Sequence, residues 1–417
     1  MDRFRHVRFA HSATPVVVLN CQLAALAIMR TLGIEGVRLY GVDADRTAPA
    51  MLSKYCRERF VLEFREDATA PYLDGLLAIG RRLGQKAILI ATSDETTQFV
   101  ADHATQLREF FIFPNNSPTL IRHLASKREM FELAMRHHVP TPKTVFPKSI
   151  HDVTEYAKIG PFPVMLKGIY GNRLQLRTNT KMTVVHSPDE LLTRYRELED
   201  PEDPNLMLQE YIAGGDDQVY IFNGYFNRNS DCVVGFTGHK IRQFPVHVGC
   251  ASLGENRWNE TVAKTTTDFM KAVGYQGILD IGYRLDLRDG QYKVLDINPR
   301  VGQAFRLFVA ENHHDVVRAL YLDYTGQPQP PVVSREGRRW FIEDYDLISS
   351  YHYWKEGSLG LFPWLRSFAG VQEGAWFAWS DPRPFGLMLK RLGHRAFHWL
   401  FRKTPVTAPI VHGRVAD

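Results

Sequence analysis

Residues 292–300 read Tyr-Lys-Val-Leu-Asp-Ile-Asn-Pro-Arg and carry the strongest local chemical pattern in the chain. If this stretch is a β-strand, the side chains of Asp296 and Asn298 point to the same face of the sheet. Two oxygen ligands at this spacing suit Mg²⁺, which prefers oxygen donors and usually shares itself with substrate phosphates. Arg300 follows just past the strand, where it can neutralise phosphate charge. The stretch predicts a magnesium–phosphate site; the alternative is a solvated hairpin edge with ordinary surface acids.

The preceding strand is predicted to form the other half of a hairpin. Asp289-Gly290 is a hairpin turn, so residues 277–287 should pair antiparallel with the strand that follows. Asp280, Arg284 and Asp286 all lie on one face of that first strand, because they are separated by even numbers of residues. One of its acids could complete the metal site.

Two lysines and an acidic turn add the pattern of a nucleotide site. Lys127 opens a helical stretch, and Lys167 ends an apolar strand that a glycine-containing loop follows. A lysine at such a strand end can place its ammonium group on a nucleotide phosphate, although simple exposure to solvent is the ordinary alternative. Residues 208–217 read Leu-Gln-Glu-Tyr-Ile-Ala-Gly-Gly-Asp-Asp, a strand edge that can border adenine, with acids that can hold ribose hydroxyls.

The first 115 residues alternate strands with helices, which favours an open parallel sheet that binds ligands at the carboxyl ends of its strands. Asp43 and the run Thr92-Ser93-Asp94-Glu95 lie at such ends. The first glycine is Gly33, and no Gly-x-x-x-x-Gly-Lys-Ser/Thr motif occurs, so neither a dinucleotide fingerprint nor a Walker-type loop is expected. The elements predicted here are strands at 15–19, 37–42 and 87–92 and helices at 23–32 and 71–83.

Beyond a helical stretch at 117–139, the chain becomes strand-rich and predicts an α+β region with an antiparallel sheet. The predicted strands are 163–167, 174–178, 207–212, 218–226, 231–236, 277–287 and 291–297, with helices at 188–198 and 259–273. Residues 330–417 hold six of the seven tryptophans, which favours a packing extension over an aromatic binding platform.

In this order the pieces resemble the ATP-grasp superfamily over roughly residues 10–325. Residues 126–142 look like its opening helix, 163–167 like its second lysine strand, 209–216 like its hinge strand and 296–300 like its metal strand. The resemblance implies a mixed α/β and α+β class: an ATP-grasp fold with an N-terminal Rossmann-like pre-ATP-grasp domain and a C-terminal Trp-rich extension. The expected domains are 1–118, 119–212 for the nucleotide lysines, 213–330 for the metal and substrate site, and 331–417 for the extension.

The resemblance also implies ligand roles for individual residues. In chain order, Lys127 and Lys167 would contact the ATP phosphates, Gln209, Glu210 and Ile212 would border adenine, Asp216 or Asp217 would bind ribose, Asp296 and Asn298 would hold magnesium, and Arg300 would lie beside the γ-phosphate.

Three positions depart from the family pattern. Asp296 stands where glutamate is usual, and Arg284 stands about where the first metal acid normally falls. Asp286 or Asp280 must therefore substitute, and Asp286 is the preferred candidate. The phosphate loop is short, so closure over the nucleotide is expected to rely on Arg173.

Residues 238–245 resemble, more narrowly, a subgroup of predicted carboxylate–amine ligases that is D-aspartate-ligase-like. Lys240 and Arg242 share strand parity and are expected to grip the γ-phosphate and a substrate carboxylate, unless they line a solvated strand face. Arg306 is a second candidate for the carboxylate.

The resemblance therefore implies an ADP-forming ligase that uses ATP with Mg²⁺ or Mn²⁺ and joins a small-molecule carboxylate, such as an amino acid or peptide, to an amine. Because carboxylate oxygen is a poor leaving group, the amide should form through an acyl phosphate. The alternatives are a kinase-like member of the same fold, a non-catalytic ATP-binding regulator and a membrane-docked binding module.

Composition narrows the setting. Hydrophobic residues make up 44% and charged residues 23%, which excludes a largely disordered chain. Four scattered cysteines and the lack of an 18-residue apolar run favour a cytoplasmic protein.

Residues 382–417 hold seven Lys/Arg and one acid, so the net charge of +5 lies in the tail and nucleic acid is not an expected partner. Residues 385–403 are expected to form an amphipathic helix, which packs on its own domain or rests on an anionic membrane. A homodimer is left open.

Overall fold

The N-terminal unit is a five-stranded parallel sheet in the order β3-β2-β1-β4-β5. It belongs to a computed structural model that describes residues 8–180 and 182–402, apart from the side chains of residues 171, 172 and 395–402. Its elements are β1 (Val16–Leu19), α1 (Leu23–Gly33), β2 (Leu39–Asp43), β3 (Cys56–Val61), α2 (Ala70–Leu83), β4 (Ala87–Ala91), α3 (Asp94–Asp102), α4 (Ala104–Leu107) and β5 (Phe111–Ile112). Strand β1 is apolar throughout because both faces of a parallel sheet are covered.

A small antiparallel sheet follows, in the order β6-β9-β7-β8. This part of the chain consists of α5 (Pro118–Ala125), α6 (Lys127–Arg136), β6 (Thr144–Val145), α7 (Ile150–Ile159), β7 (Val164–Gly168), α8 (Gly171–Thr178), β8 (Met182–Val185), α9 (Pro188–Leu198) and β9 (Leu206–Glu210). The side chain of Ser126 caps α6, which places Lys127 in its first turn.

The predicted strand at 174–178 is wrong, because these residues lie in helix α8. Leu174 is buried whereas Leu176 is 76% exposed. Residues two apart in a strand would share one face, but in a helix they point in different directions. The alternating pattern was too short to distinguish the two periods.

The third unit is a seven-stranded sheet in the order β14-β13-β10-β11-β12-β15-β16. Its elements are β10 (Val219–Phe226), β11 (Cys232–Phe244), β12 (Cys250–Asn256), α10 (Glu260–Val273), β13 (Gly277–Asp286), β14 (Gln291–Asn298), α11 (Val316–Tyr324), β15 (Arg339–Phe341), α12 (Glu343–Lys355), α13 (Leu361–Ser367), β16 (Val371–Gly374) and α14 (Arg383–Arg402). The expected antiparallel hairpin of β13 and β14 is present.

The C-terminal extension continues this sheet. Strand β15 pairs with β12, and β16 pairs with β15, so one sheet crosses the predicted boundary at residue 331. Trp340 and Trp376 are buried in its core, whereas Trp354 and Trp379 are exposed. Strands β15 and β16, of three and four residues, are too short to give a recognisable alternation of polar and apolar residues in the sequence. The domain boundaries themselves stay predictions. The predicted helix at 385–403 coincides with α14 up to Arg402, and Lys403 and the rest of the tail lie outside the described residues.

The largest apolar cluster joins the N-terminal unit to the seven-stranded sheet. It contains Val18 of β1 and Leu26 of α1 together with Tyr225 of β10, Trp340 of β15 and Phe308, which follows β14 in the chain. This packing brings the carboxyl end of β4 against the end of β14, where the chemistry-bearing residues meet.

Candidate functional site

The β13–β14 hairpin brings three oxygen-bearing side chains, those of Asp280, Asp296 and Asn298, to one end of the large sheet. Asp280 lies opposite Asn298, and Asp296 lies opposite Gly282. A Cβ atom at Gly282 would lie 2.4 Å from Asp296 Oδ1, and one at Gly302 would lie 1.7 Å from Asp280 Oδ2. Both carboxylates therefore occupy space that only glycine leaves open.

This donor set fits a hard cation. Two carboxylates and an amide suit Mg²⁺ when substrate phosphates supply further oxygens. Within the described part of the chain, no group of three or more His, Cys, Asp or Glu side chains is arranged to hold a metal alone.

The preference for Asp286 as a metal ligand is corrected by the structure. Asp286 is buried at the other end of the hairpin, opposite Gln291. Hydrogen bonds from Arg288 and Lys293, each 2.6 Å from Asp286 Oδ2, keep the pKa of its carboxyl far below the usual range. Asp280 is six residues away, about 20 Å along an extended strand. The even spacing of Asp280 and Asp286 predicts that both lie on the same face of β13, but it does not predict which of them lies at the end of the strand near Asp296.

Three lysines from separate segments converge beside the carboxylates. Lys167 ends β7, is buried, and donates a hydrogen bond to Gln209 Oε1 at 3.3 Å. The pKa of Lys167 is lowered to about 8, mainly by burial and also by Lys127 and Lys240, whereas Asp296 opposes the shift. A bound polyanion would relieve this repulsion, so the cluster fits nucleotide phosphates.

Asp280 shows the matching effect on the acidic side. The pKa of Asp280 is raised to about 6, mainly by burial and also by Asp296, whereas Arg300 and Lys240 oppose the shift. A divalent cation between the two acids would hold both in the ionised form.

Arg300 links this end of the sheet to the N-terminal unit. Its Nε donates to Asp94 Oδ1 at 2.6 Å, and its Nη2 donates to Asn298 Oδ1 at 3.0 Å. Burial acts to lower the pKa of Arg300, but Asp94, Asp280 and Glu95 outweigh it and raise that pKa. The acidic run after β4 and the metal strand, which the sequence suggested separately, thus form one site.

A β-bulge separates the two cations of β11. Lys240 pairs with Gly254 and Arg242 pairs with Leu253, so Ile241 is the extra residue. The two side chains therefore enter different surroundings despite their even spacing.

The side chain of Lys240 lies at the site. Its Nζ donates to Gln243 Oε1 at 3.1 Å and to the carbonyl of Gly249 at 2.7 Å, while its charge acts on Lys167 and Asp280. Lys240 is thus placed to contact a phosphate or a carboxylate in the cleft.

The prediction that Arg242 grips substrate is corrected. Arg242 is buried and forms a bidentate ion pair with Asp346 of α12, at 2.8 and 2.7 Å, and it also donates to Ser367 Oγ at 2.8 Å. With its guanidinium already held by the C-terminal extension, Arg242 acts as an internal anchor.

Arg173 and Arg306 are also engaged elsewhere. Arg173 pairs with Asp203 at 2.5 Å. Arg306 lies in a buried network with Asp315 at 2.6 Å and Glu373 at 2.8 Å. The sequence predicted that Arg173 closes over the nucleotide and that Arg306 is a candidate for the substrate carboxylate. In the described structure both side chains are instead paired with acidic groups of the protein.

The hinge strand β9 borders the lysines. The side-chain amide of Gln209 links Lys167 to Thr144 Oγ1, which is 3.1 Å from Gln209 Nε2. Glu210 is tied to the backbone N–H of Lys143 at 3.0 Å and to Arg288, and Ile212 is buried beyond it. Gln209 and Ile212 keep their predicted place at the adenine edge as proposals, whereas Glu210 is occupied by protein groups.

The two acids after β9 differ in their surroundings. Asp216 accepts hydrogen bonds from Gln243 Nε2 at 2.8 Å and from the Tyr353 hydroxyl, and it lies 3.4 Å from His247 Nδ1. Asp217 is exposed and is the better placed candidate for ribose.

Tyr353 is a site residue that the sequence did not indicate. Its hydroxyl also accepts the backbone N–H groups of Gln243 at 3.2 Å and His247 at 3.3 Å. A single tyrosine far along the chain belongs to no sequence motif. Its contacts appear only in the folded chain, and they show that α12 supports this side of the cleft.

Comparison with known proteins agrees with this geometry. No family model matches the chain. It is 24% identical to a D-aspartate ligase of Enterococcus faecium over 291 residues, which is 66% of this chain and 68% of that protein. The biotin carboxylase domain of the Hydrogenobacter thermophilus 2-oxoglutarate carboxylase, solved with MgADP and bicarbonate, superposes with a TM-score of 0.60 at 14% identity, covering 79% of this chain and 74% of that one. An L-amino acid ligase of Bacillus licheniformis gives 0.57 at 13% identity, covering 77% and 78%.

The chain has the ATP-grasp fold. The predicted fold is thereby confirmed, and the two ligases among these proteins agree with the predicted enzyme class. The MgADP of the carboxylase domain agrees with the predicted ATP and Mg²⁺. In this fold the three lysines and β9 lie on one side of the cleft, and the β13–β14 hairpin lies on the other.

We expect Asp280→Ala to weaken Mn²⁺ binding in the presence of ADP by at least about tenfold, because one of two carboxylate ligands is lost. Asp286→Asn should leave that affinity within about twofold, since its carboxylate is bound elsewhere. Electron paramagnetic resonance of free Mn²⁺ measures both, after circular dichroism confirms that each variant is folded. Loss of affinity in Asp286→Asn alone would contradict the assignment.

Affinity for MgADP should fall as pH rises from 7 to 9. The ammonium form of Lys167 binds phosphate, and with a pKa of about 8 it is mostly protonated at pH 7 but only about one-tenth protonated at pH 9, so the affinity should drop up to about tenfold. Lys167→Arg stays charged and should flatten the profile. Calorimetric titration at each pH provides the test, and an equal slope in wild type and Lys167→Arg would remove Lys167 from the explanation.

Proposed function

We propose that this chain is an ATP-dependent ligase that joins a carboxylate to an amine through an acyl phosphate. The observation that carries the proposal is the meeting of three lysines with Asp280, Asp296 and Asn298 at one end of the large sheet. This arrangement suits a nucleotide triphosphate whose terminal phosphate faces the end of β14.

In this proposal the nucleotide lies in the cleft between the lysines and β9 on one side and the β13–β14 hairpin on the other. Lys127 and Lys167 contact its phosphates, Gln209 and Ile212 border adenine, and Asp217 accepts the ribose hydroxyls. Mg²⁺, when bound by the hairpin oxygens, spreads the charge of the transferred phosphoryl group.

Activation of the acid is the first chemical step. A carboxylate oxygen of the substrate attacks the γ-phosphorus, a new O–P bond forms, and the bond to the bridging oxygen breaks so that ADP leaves. Lys240 is placed to hold the carboxylate against the phosphate, because its ammonium group acts on both Lys167 and Asp280. Its bonds to Gln243 and Gly249 fix its direction.

Amide formation is the second step. The neutral amine attacks the acyl carbon, a C–N bond forms, and the bond from that carbon to the phosphate oxygen breaks, so that inorganic phosphate leaves with the proton that the amine loses. The guanidinium of Arg300 can donate to the oxyanion that forms on the acyl oxygen. Asp94 and Asn298 hold that guanidinium in place, so its orientation need not change during the reaction.

The substrate class follows from the relatives. A D-aspartate ligase and an L-amino acid ligase are named for amino acids, so we propose an amino acid as the activated acid. The cytoplasmic location and a homodimer stay predictions; the carboxylase domain is described as a dimer.

The test is turnover with MgATP and arrayed pairs of amino acids. We expect ADP and phosphate in equal amounts, together with a new amide mass that identifies both substrates. Asp296→Ala should reduce the rate at least about tenfold by loss of a metal ligand, whereas Asp268→Ala, an exposed acid on α10, should not change it.

Other products would contradict the proposal in distinct ways. ADP with a stable phosphorylated product and no free phosphate would show a kinase. Tight ATP binding without turnover over the whole array would show a nucleotide-binding regulator.

A further inference from the structure

Helix α12 has an inverted distribution of polar and apolar side chains. Its buried side is largely polar, formed by Asp344, Asp346, Ser349, Ser350 and Tyr353. Its outer side carries Leu347, Tyr351 and Trp354, spaced three or four residues apart and 57%, 56% and 64% exposed. A surface helix ordinarily turns its apolar stripe inward, so this arrangement requires a reason.

The buried polar side has an internal explanation. Asp346 satisfies Arg242, Tyr353 satisfies Asp216 and two backbone N–H groups, and Asp344 accepts the indole N–H of Trp376 at 2.8 Å. The exposed apolar side has none of these roles. Packing on the sheet therefore leaves the outer stripe of α12 for contact with something else.

Helices α13 and α14, which lie beside α12, carry further exposed apolar side chains: Trp364 of α13 donates to Ser350 of α12 at 3.1 Å, and Leu389 of α14 lines a groove with Leu347. On α13, Leu361, Phe362 and Leu365 are 63%, 82% and 54% exposed, and Trp379 and Leu389 are 89% and 52% exposed. A groove of about 290 Å³ lies between α12, α13 and α14. We call these exposed side chains of α12 and α13, with Trp379 and Leu389, the aromatic face. Exposed apolar concentrations of this kind mark docking surfaces.

Positive charge accompanies the aromatic face. Lys355 ends α12, Arg366 lies on α13 and Lys390 lies on α14, and all three are exposed. The nearby acid Glu356 is bound by His247 Nε2 at 2.9 Å. The sequence from 382 onward continues this bias with seven Lys/Arg and one acid.

We propose that the aromatic face docks the protein on an anionic lipid bilayer. Tryptophan and tyrosine favour the interface between headgroups and acyl chains, and lysine and arginine attract anionic headgroups while their stems lie along apolar surface. In the described residues no helix is long and apolar enough to cross a membrane, so the contact is peripheral. The proposal does not depend on ligase activity.

Docking would set the position of the active site. Helix α12 presents the aromatic face on one side and contacts β11 and the Asp216 turn on the other. A bilayer under α12 would therefore hold the cleft at a fixed height above the membrane.

The experiment is co-sedimentation of the full chain with vesicles of phosphatidylcholine alone or with 30% phosphatidylglycerol. We expect binding to the anionic vesicles that weakens with salt. Trp354→Ser with Phe362→Ser should lower the partition coefficient at least about tenfold, and Arg366→Glu with Lys390→Glu should lower it about fivefold for each cation removed. Ile159→Ser, at an 88% exposed position on α7, is the matched control and should bind like wild type.

Three results would overturn the proposal. Wild type could fail to bind either vesicle, or the paired variants could bind as wild type does. Sedimentation velocity could instead show a dimer that Trp354→Ser with Phe362→Ser dissociates, which would assign the face to a second copy. Because all substituted positions are exposed and lie outside the cleft, ligase turnover in solution is read separately from vesicle binding.

Discussion

The burial of charged side chains close to one another in the cleft is the constraint on which the proposed site depends. Moving the pKa of Lys167 from 10.5 to about 8 corresponds to on the order of 3 kcal/mol against its charged form. Asp280 carries the corresponding penalty on the other side of the cleft. A nucleotide phosphate beside the lysines and a divalent cation beside the acids would relieve both penalties, so we propose that the nucleotide and the cation bind at these two positions.

The fold holds these charged side chains close together. The hairpin register fixes Asp280 opposite Asn298, and apolar packing of the N-terminal unit presses Asp94 onto Arg300. The bulge at Ile241 then sends Lys240 to the cleft and Arg242 to Asp346. Through that buried ion pair and Tyr353, the C-terminal extension supports the strand that carries Lys240, so we propose that it helps to build the active site.

Much of this arrangement was predictable from sequence, for identifiable reasons. The hairpin turn at Asp289-Gly290 fixed the pairing of β13 and β14, and the order of the lysine, hinge and metal segments indicated the ATP-grasp fold. Parity alone could not distinguish Asp280 from Asp286, because both acids lie on the same face and only the register separates them. The bulge at Ile241 broke the parity argument for Arg242. Tyr353 acts across more than a hundred residues, a contact that no local pattern encodes.

The central claim, that a carboxylate is activated by phosphorylation, is tested most directly with a substrate acid labelled with ¹⁸O in both carboxylate oxygens. The account predicts that each amide formed releases one phosphate carrying a single ¹⁸O atom, with the other label kept in the amide. Unlabelled phosphate, or label recovered in AMP with release of pyrophosphate, would contradict it.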